Sequence, residues 1–334
     1  MNYVGIDLHK VELVISVEDD KGPVGKSEKF KCRDVAQIVA FFKSHVPFRA
    51  VIEASSSYRW LYDLLSPMGE VILAHPLKMR AIVTARAKTD KLDSRMLARL
   101  LRAELIPRSY VPPERYQRLR DITRTRARLV RNVTVAINEV HYLLARRNLQ
   151  CPYKDIFTQR GRQWIKNQDL GFGGNMAVAE LLRRMDYYQQ EVAQVDLKLH
   201  EVAGEFPEAE VLLDLFGVGV FTALLVIGEI GDPERFANGD QVGAYAGLTA
   251  RVHQSGGHEY SGHISKQGSP WLRWALVQAA MKLVRRDEKL REFYARVRRR
   301  AGAKIARVAA ARKLAEICWV RLRCFHRQHA RAVA

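Results

Sequence analysis

The sequence predicts an α/β amino-terminal domain followed by a mainly α-helical carboxyl-terminal region. Three observations carry that division: short β-rich runs alternate with helical stretches over the first hundred or so residues, two long heptad patterns occupy the middle, and the last fifty residues are rich in arginine. With 334 residues and 48% hydrophobic content, the chain can bury the cores of two or three domains.

Residues 3–6 and 13–17 are β-rich runs around a polar turn at His9 and Lys10, and Lys21-Gly22-Pro23 turns into a third run over 24–30. These form a three-stranded meander. A helix over 35–43, a strand at 50–53, a helix over 60–65 and a strand at 71–73 extend it into a mixed sheet flanked by helices. Asp7 then ends the first strand and Glu53 ends a later neighbour. Next comes a helix opening at Asp90, with Leu92, Met96, Leu97, Leu100 and Leu101 at helical spacing; Asp90 and Asp93, three apart, share one face.

Taken singly, Asp7 reads as a turn residue and Asp90 as a helix cap. The ordered set is more telling. Four gathered carboxylates repel one another unless hard divalent cations such as Mg2+ neutralise them, and that arrangement serves phosphodiester chemistry. Asp7, Glu53, Asp90 and Asp93 are therefore the expected metal ligands of a ribonuclease-H-like (RuvC-like) domain spanning residues 1–107.

Pro107, Pro112 and Pro113 mark a boundary. A coiled-coil and oligomerisation region is expected over 114–206. Its first helix carries Leu119, Ile122, Leu129, Val133, Ala136, Val140 and Leu143 in a seam interrupted by Arg126. Its second alternates steps of three and four through Val178, Leu181, Met185, Tyr188, Val192, Val195, Leu199, Val202 and Phe206. The two helices pair either within one chain or between chains, with a loop expected over 161–174, where Gly171, Gly173 and Gly174 fall. Residues 207–334 form the third domain. There Phe216-Gly217-Val218-Gly219 precedes an apolar helix over 221–230, a helix-hairpin-helix-like element whose glycines let backbone N–H groups approach a phosphate.

The charge points to a polyanion. Lys and Arg number 55 against 36 Asp and Glu, a formal net charge of +19. Residues 282–331 alone hold seventeen Lys or Arg and four acids, and Arg115, Arg118, Arg120, Arg124, Arg126, Arg128 and Arg131 crowd the first long helix. Such runs are often only solvated faces, but this density favours phosphate-backbone binding. The longest apolar stretch, 223–227, is far too short to span a bilayer, and Asp7, His9, Lys10 and Glu12 interrupt any leader core, so a cytoplasmic protein is expected. Cys32, Cys151, Cys318 and Cys324 are scattered, without zinc-site spacing, and are read as reduced thiols.

Gly5-Ile6-Asp7-Leu8-His9-Lys10, Ile52-Glu53-Ala54-Ser55 and Lys88-Thr89-Asp90-Lys91-Leu92-Asp93-Ser94 resemble the amino-terminal domain of the DEDD-type insertion-sequence transposases, the bridge recombinases. Glu229-Ile230-Gly231-Asp232, Ala244-Tyr245-Ala246-Gly247-Leu248 and Arg251-Val252-His253-Gln254-Ser255-Gly256-Gly257 resemble their carboxyl-terminal domain. The resemblance implies a Mg2+-dependent transposase in which Ser255 is the nucleophile. It also implies partners: donor and target DNA, a structured guide RNA carrying the sequence specificity, and further copies of the chain, as dimers assembling to a tetramer. By position alone Ser255 is not separated from Ser261, Ser265 and Ser269, and a Ser-Gly-Gly segment is commonly a plain loop. His253, His258 and His263 flank it without fixing any geometry, and Arg251 is a candidate phosphate clamp. Two other readings use the same residues: a junction-resolving nuclease with water as nucleophile, and a non-catalytic nucleic-acid scaffold.

Overall fold

A computed structural model describes residues 1–82, 90–255 and 258–333, with the side chains of residues 80, 81, 90–92, 251–261 and 330–333 left aside. The chain divides into two compact units, Met1–Val111 and Pro112–Ala334.

The first unit is a mixed α/β domain. Strands β1 (Asn2–Leu8), β2 (Glu12–Asp19) and β3 (Gly22–Lys31) form the expected meander, and β4 (Phe48–Glu53) and β5 (Glu70–Ala74) add to it in the order β3-β2-β1-β4-β5. β1 is antiparallel to β2 and parallel to β4, which is parallel to β5. This arrangement is consistent with a ribonuclease-H-like sheet. Register follows the apolar alternation, with Val4 opposite Val17, Ile6 opposite Ile15 and Leu8 opposite Leu13, so one face of the meander is continuous hydrocarbon. That face is covered by α1 (Val35–Ser44) and α2 (Tyr58–Leu65) through Ile38, Phe42, Leu61 and Leu65. The opposite face, through Val51 and Ile72, meets Leu97, Leu100 and Leu101 of α4 (Asp90–Arg102), with Met79 of α3 (Pro76–Ile82). Strand β3 is one edge of the sheet, and its lysines 26, 29 and 31 discourage pairing with another strand.

The second unit is helical. α5 (Glu114–Ala145) and α7 (Gly171–Ala203) pack as an antiparallel pair within one chain: Tyr116 and Leu119 share a cluster with Leu199 and Phe206, Arg126 pairs with Asp196, and Ala136, Val140 and Leu144 meet Val178, Leu181 and Met185. The loop expected over 161–174 is corrected. α6 (Gln159–Lys166) occupies much of it, its N-terminus capped by Thr158 Oγ1, which accepts from Gly161 N at 3.3 Å. Gly161 is there for close approach, since a Cβ would lie 2.4 Å from the Ile156 carbonyl oxygen, and α7 begins at Gly171 and runs through Gly173 and Gly174.

A 3-10 turn and the single-turn α8 (Glu210–Leu213) lead through Gly217 (φ 88°) to α9 (Val220–Ile230). Every residue of α9 from Ala223 to Ile230 is buried, so the apolar stretch too short for a membrane is a core helix. α10 (Gly239–Tyr245), the hairpin of β6 (Ala250–Ser255) and β7 (His258–Ile264), α11 (Pro270–Leu283) and α12 (Glu288–Val333) complete the unit. α12 is broken at Gly302, which leaves helical geometry at φ 84°. No helix among the described residues is long and apolar enough to cross a membrane. All four cysteines are free, and burial pushes the Cys318 thiol up to about 12.

Candidate active site and nucleic-acid interface

Asp7 and Glu53 come side by side through strand register. The last paired residues of β1 and β4 are Ile6 and Ile52, so the next residues of these parallel strands, Asp7 and Glu53, stand at adjacent carboxyl ends, roughly 5 Å apart at the backbone. Alternation puts both on the face that carries α4. A Cβ on Gly5 would point straight at α4, 2.0 Å from the Ser94 carbonyl oxygen, and Asp7 is two residues on. Asp7 is 16% exposed and lies 3.2 Å from Nε2 of the half-exposed His9, while Glu53 is exposed.

Helix α4 is fixed against this face by a glycine notch and a chain of hydroxyls. Gly5 has no side chain, so the helix backbone sits directly on β1. Beside it, the buried Ser94 and Ser16 hydroxyls are 2.8 Å apart, and Ser16 Oγ donates to Ser27 Oγ at 2.9 Å. At the other end of α4, Arg102 Nη1 donates to the Asp19 carbonyl at 3.2 Å. The helix therefore runs antiparallel to β1, its N-terminus directed toward the end of the strand where Asp7 sits. Asp93 immediately precedes the notch contact, and Asp90 begins the helix one turn earlier. The Asp90 side chain lies outside the described residues. Among those described, no group of three or more His, Cys, Asp and Glu is gathered closely enough to hold a metal.

Ser255 ends β6 and pairs with His258 at the tip of the β6–β7 hairpin. Its side chain, with those of Arg251, His253, His258 and Ser261, lies outside the described set, as do Gly256 and Gly257. Hydrogen bonds fix the foot of the hairpin. Ser265 N donates to the Thr249 carbonyl at 2.8 Å, and Ser269 N donates to the Tyr245 carbonyl at 3.2 Å. Gly268 (φ 103°) presses so closely on Tyr245 that a Cβ would fall 1.9 Å from its carbonyl oxygen. Arg273 of α11 donates through Nη1 to the Ala246 carbonyl at 3.1 Å, against the backbone of Gly247 (φ 67°). Of the alternative serines, Ser269 is buried as the N-cap of α11, its hydroxyl accepting from Leu272 N at 3.1 Å. His263 is exposed.

The arginines of α5 sort into two sets, which corrects the reading of all seven as phosphate contacts. Arg118, Arg128 and Arg131 are exposed. Arg115 holds Glu208, Arg126 holds Asp196 and stacks 4.3 Å from the Phe221 ring centroid, and Arg124 forms a two-point pair with the fully buried Glu229 at 2.7 and 3.0 Å. Arg120 donates to the carbonyls of Gly228 and Glu229 at 2.6 and 2.9 Å, satisfying the last turn of α9. Arg296, Arg298, Arg299 and Arg300 are exposed on α12 just before its break at Gly302. Surplus positive charge thus collects on exposed arginines, while the inward-facing ones of α5 are already partnered.

Sequence reading missed the packing role of Gly5, the Ser16–Ser94 contact and Arg273. A small residue between Val4 and Ile6 in an otherwise apolar strand is the signal for the first. Arg273 carries a signal too, because no Asp or Glu lies between Glu259 and Asp287.

A mixed sheet ending in adjacent carboxylates, joined to a basic helical unit, is consistent with a ribonuclease-H-like domain of an enzyme that acts on nucleic acid. Residues 4–148 match the DEDD model of the IS110 type, described as "Transposase", and residues 209–295 match the model described as "Transposase IS116/IS110/IS902 family". Together the matches cover more than half of the chain. Similar proteins include a "Probable family 20 transposase" of Pseudomonas aeruginosa, 28% identical over 96% of this chain and 97% of that protein. The transposase for insertion sequence element IS1328 of Yersinia enterocolitica is 25% identical over 95% of both chains, and that for IS1111A of Coxiella burnetii is 27% identical over 96% of this chain and 89% of its own. The chain belongs to the IS110/IS116 family of transposases, enzymes that cleave and rejoin DNA.

Proposed function

We propose that the chain is a divalent-cation-dependent DNA recombinase of an insertion sequence, in which Asp7, Glu53, Asp90 and Asp93 hold the metal and Ser255 is the nucleophile. The observation that carries this is the register-fixed adjacency of Asp7 and Glu53 beneath the N-terminal end of α4. The donor set suits Mg2+, because carboxylate oxygens are hard ligands and their mutual repulsion favours a cation among them. When bound, such a cation supplies neutralisation of charge on the phosphate oxygens.

The chain's own residues do the rest. The Ser255 hydroxyl attacks a DNA phosphorus, forming a phosphoserine bond as the P–O bond to one deoxyribose breaks; the serine proton passes to solvent and the departing sugar oxygen takes one up. Attack by a hydroxyl from another strand reverses the exchange and frees the serine, conserving the phosphodiester without ATP. Exposed arginines of α5 and α12, and the backbone of 217–219 before α9 in a helix-hairpin-helix manner, hold phosphates without reading sequence. Sequence is supplied by a structured guide RNA that pairs with donor and target DNA. The α5–α7 pair has coiled-coil character and brings copies together as dimers and then a tetramer.

Trapping of covalent protein–DNA adducts tests this. Wild-type protein with Mg2+ yields adducts, Ser255→Ala yields none, and Asp7→Asn or Glu53→Gln reduces them at least a hundredfold. Free cleaved ends from Ser255→Ala at the wild-type rate indicate a water nucleophile and remove the serine from the mechanism.

A further inference from the structure

Three half-buried arginines of the second unit are each matched by a carboxylate, Arg124 by Glu229, Arg126 by Asp196 and Arg162 by Asp186. Arg273 is not. It is half-buried in the first turns of α11, and among the described residues it has one hydrogen bond, to the Ala246 carbonyl, and no acidic partner. A guanidinium offers five N–H donors in a planar fork suited to carboxylate or phosphate oxygens, so most of its donors remain free. Among the described residues its surroundings supply no counter-charge. From residue 260 to residue 286 the sequence has no Asp or Glu, and the described basic neighbour Lys266, exposed with φ 52°, has the same sign.

Burial without an opposing charge holds the Arg273 guanidinium below its usual range. Placing a cation so is a cost to folding, and a cost of this kind is retained where a ligand anion supplies the missing charge. The position of Arg273 says which anion. The guanidinium packs on Gly247, where the chain enters the β6–β7 hairpin, close to Ser265–Gly268, where it leaves. The tip at Ser255 is five residue steps of strand away, roughly 17 Å.

We propose that Arg273 is a phosphate-binding residue that holds the DNA strand at the foot of the serine hairpin, on a phosphodiester other than the one attacked. It thereby sets the register of the strand along the hairpin. The role of the tip rests on the Ser255 reading above, whereas phosphate binding by Arg273 does not.

The test compares full-length wild type, Arg273→Met and Arg273→Lys for binding a labelled random-sequence duplex over a range of salt, with thermal melting and adduct trapping in parallel. Arg273→Met should bind about tenfold more weakly at low salt, and its slope of log affinity against log salt should shrink by about 0.9, one phosphate contact. Its melting temperature should equal or exceed wild type, because an uncompensated cation is gone. Arg273→Lys should keep the slope and recover part of the affinity. Unchanged affinity and slope in Arg273→Met overturns the proposal. So does a lowered melting temperature with binding retained, or failure of the Met variant to fold, since either makes the bond to Ala246 a structural tie. If the wild type forms no adducts, the Ser255 reading fails while the salt slope still reports on Arg273.

Discussion

Glu229 has no exposed surface, and its charge is tolerable because Arg124 meets both carboxylate oxygens. Removing one partner of such a pair leaves an uncompensated buried charge, which costs far more than the pair itself contributes. Arg124→Met is expected to destabilise the second unit by about 3–5 kcal/mol, and adding Glu229→Leu should recover most of that. Denaturant unfolding of the two variants measures it; equal stabilities for the single and double variants would remove the ion pair from the account. At this scale the sequence is opaque. Arg115 through Arg131 read as one basic run, because the acids that claim three of its arginines and the carbonyls that claim Arg120 lie 70 or more residues away.

Helix α4 shows what elements reveal that residues do not. Asp90 and Asp93 are placed against the strand carboxylates by how the helix seats on the sheet, and that seat depends on the missing side chain at Gly5. Gly5→Ala puts a methyl group 2.0 Å from the Ser94 carbonyl and 2.5 Å from the Ala98 nitrogen, both backbone atoms that can yield only if α4 shifts. The variant should lose about 3 kcal/mol, the upper range for an overpacked core, together with divalent-cation affinity. Melting and calorimetric titration with Mg2+ check this; a loss of stability with cation affinity intact would show that the seat does not position the site. The strands of the first unit were legible because apolar alternation is local, as in Val4, Ile6 and Leu8. The β6–β7 hairpin was not. Its strands are mostly polar and rich in His and Ser, so a pairing signal was missing and the segment read as loop. Gly161 misled for a different reason: glycine marks turns and tight packing alike, and only the position of Ile156 decides which.

Across the whole molecule, the hydrophobic clusters respect the division at Val111. Two are built from residues before it and two from residues after it, so each unit has a core of its own. Residues 1–111 and 112–334, expressed separately, should each unfold in a single cooperative transition by circular dichroism. A first unit that melts without a transition would mean that its sheet needs the rest of the chain. Most of the surplus positive charge sits in the other unit, so 112–334 alone should retain most of the salt-sensitive DNA affinity.

The α5–α7 pair has one further consequence. Between Ala127 and Ala136 on α5, and between Met185 and Leu199 on α7, no residue is buried, so the pair is fastened at its two ends and spanned by half-buried residues such as Leu129, Val133, Tyr188 and Val192. Seven residues added to both helices within that span would move the far cluster outward by about 10 Å and return every side chain to nearly the same face. Neither fastening would notice the change. The length of this pair is therefore a dimension that evolution can reset without repacking a core, much as a ruler can be cut longer without altering its ends.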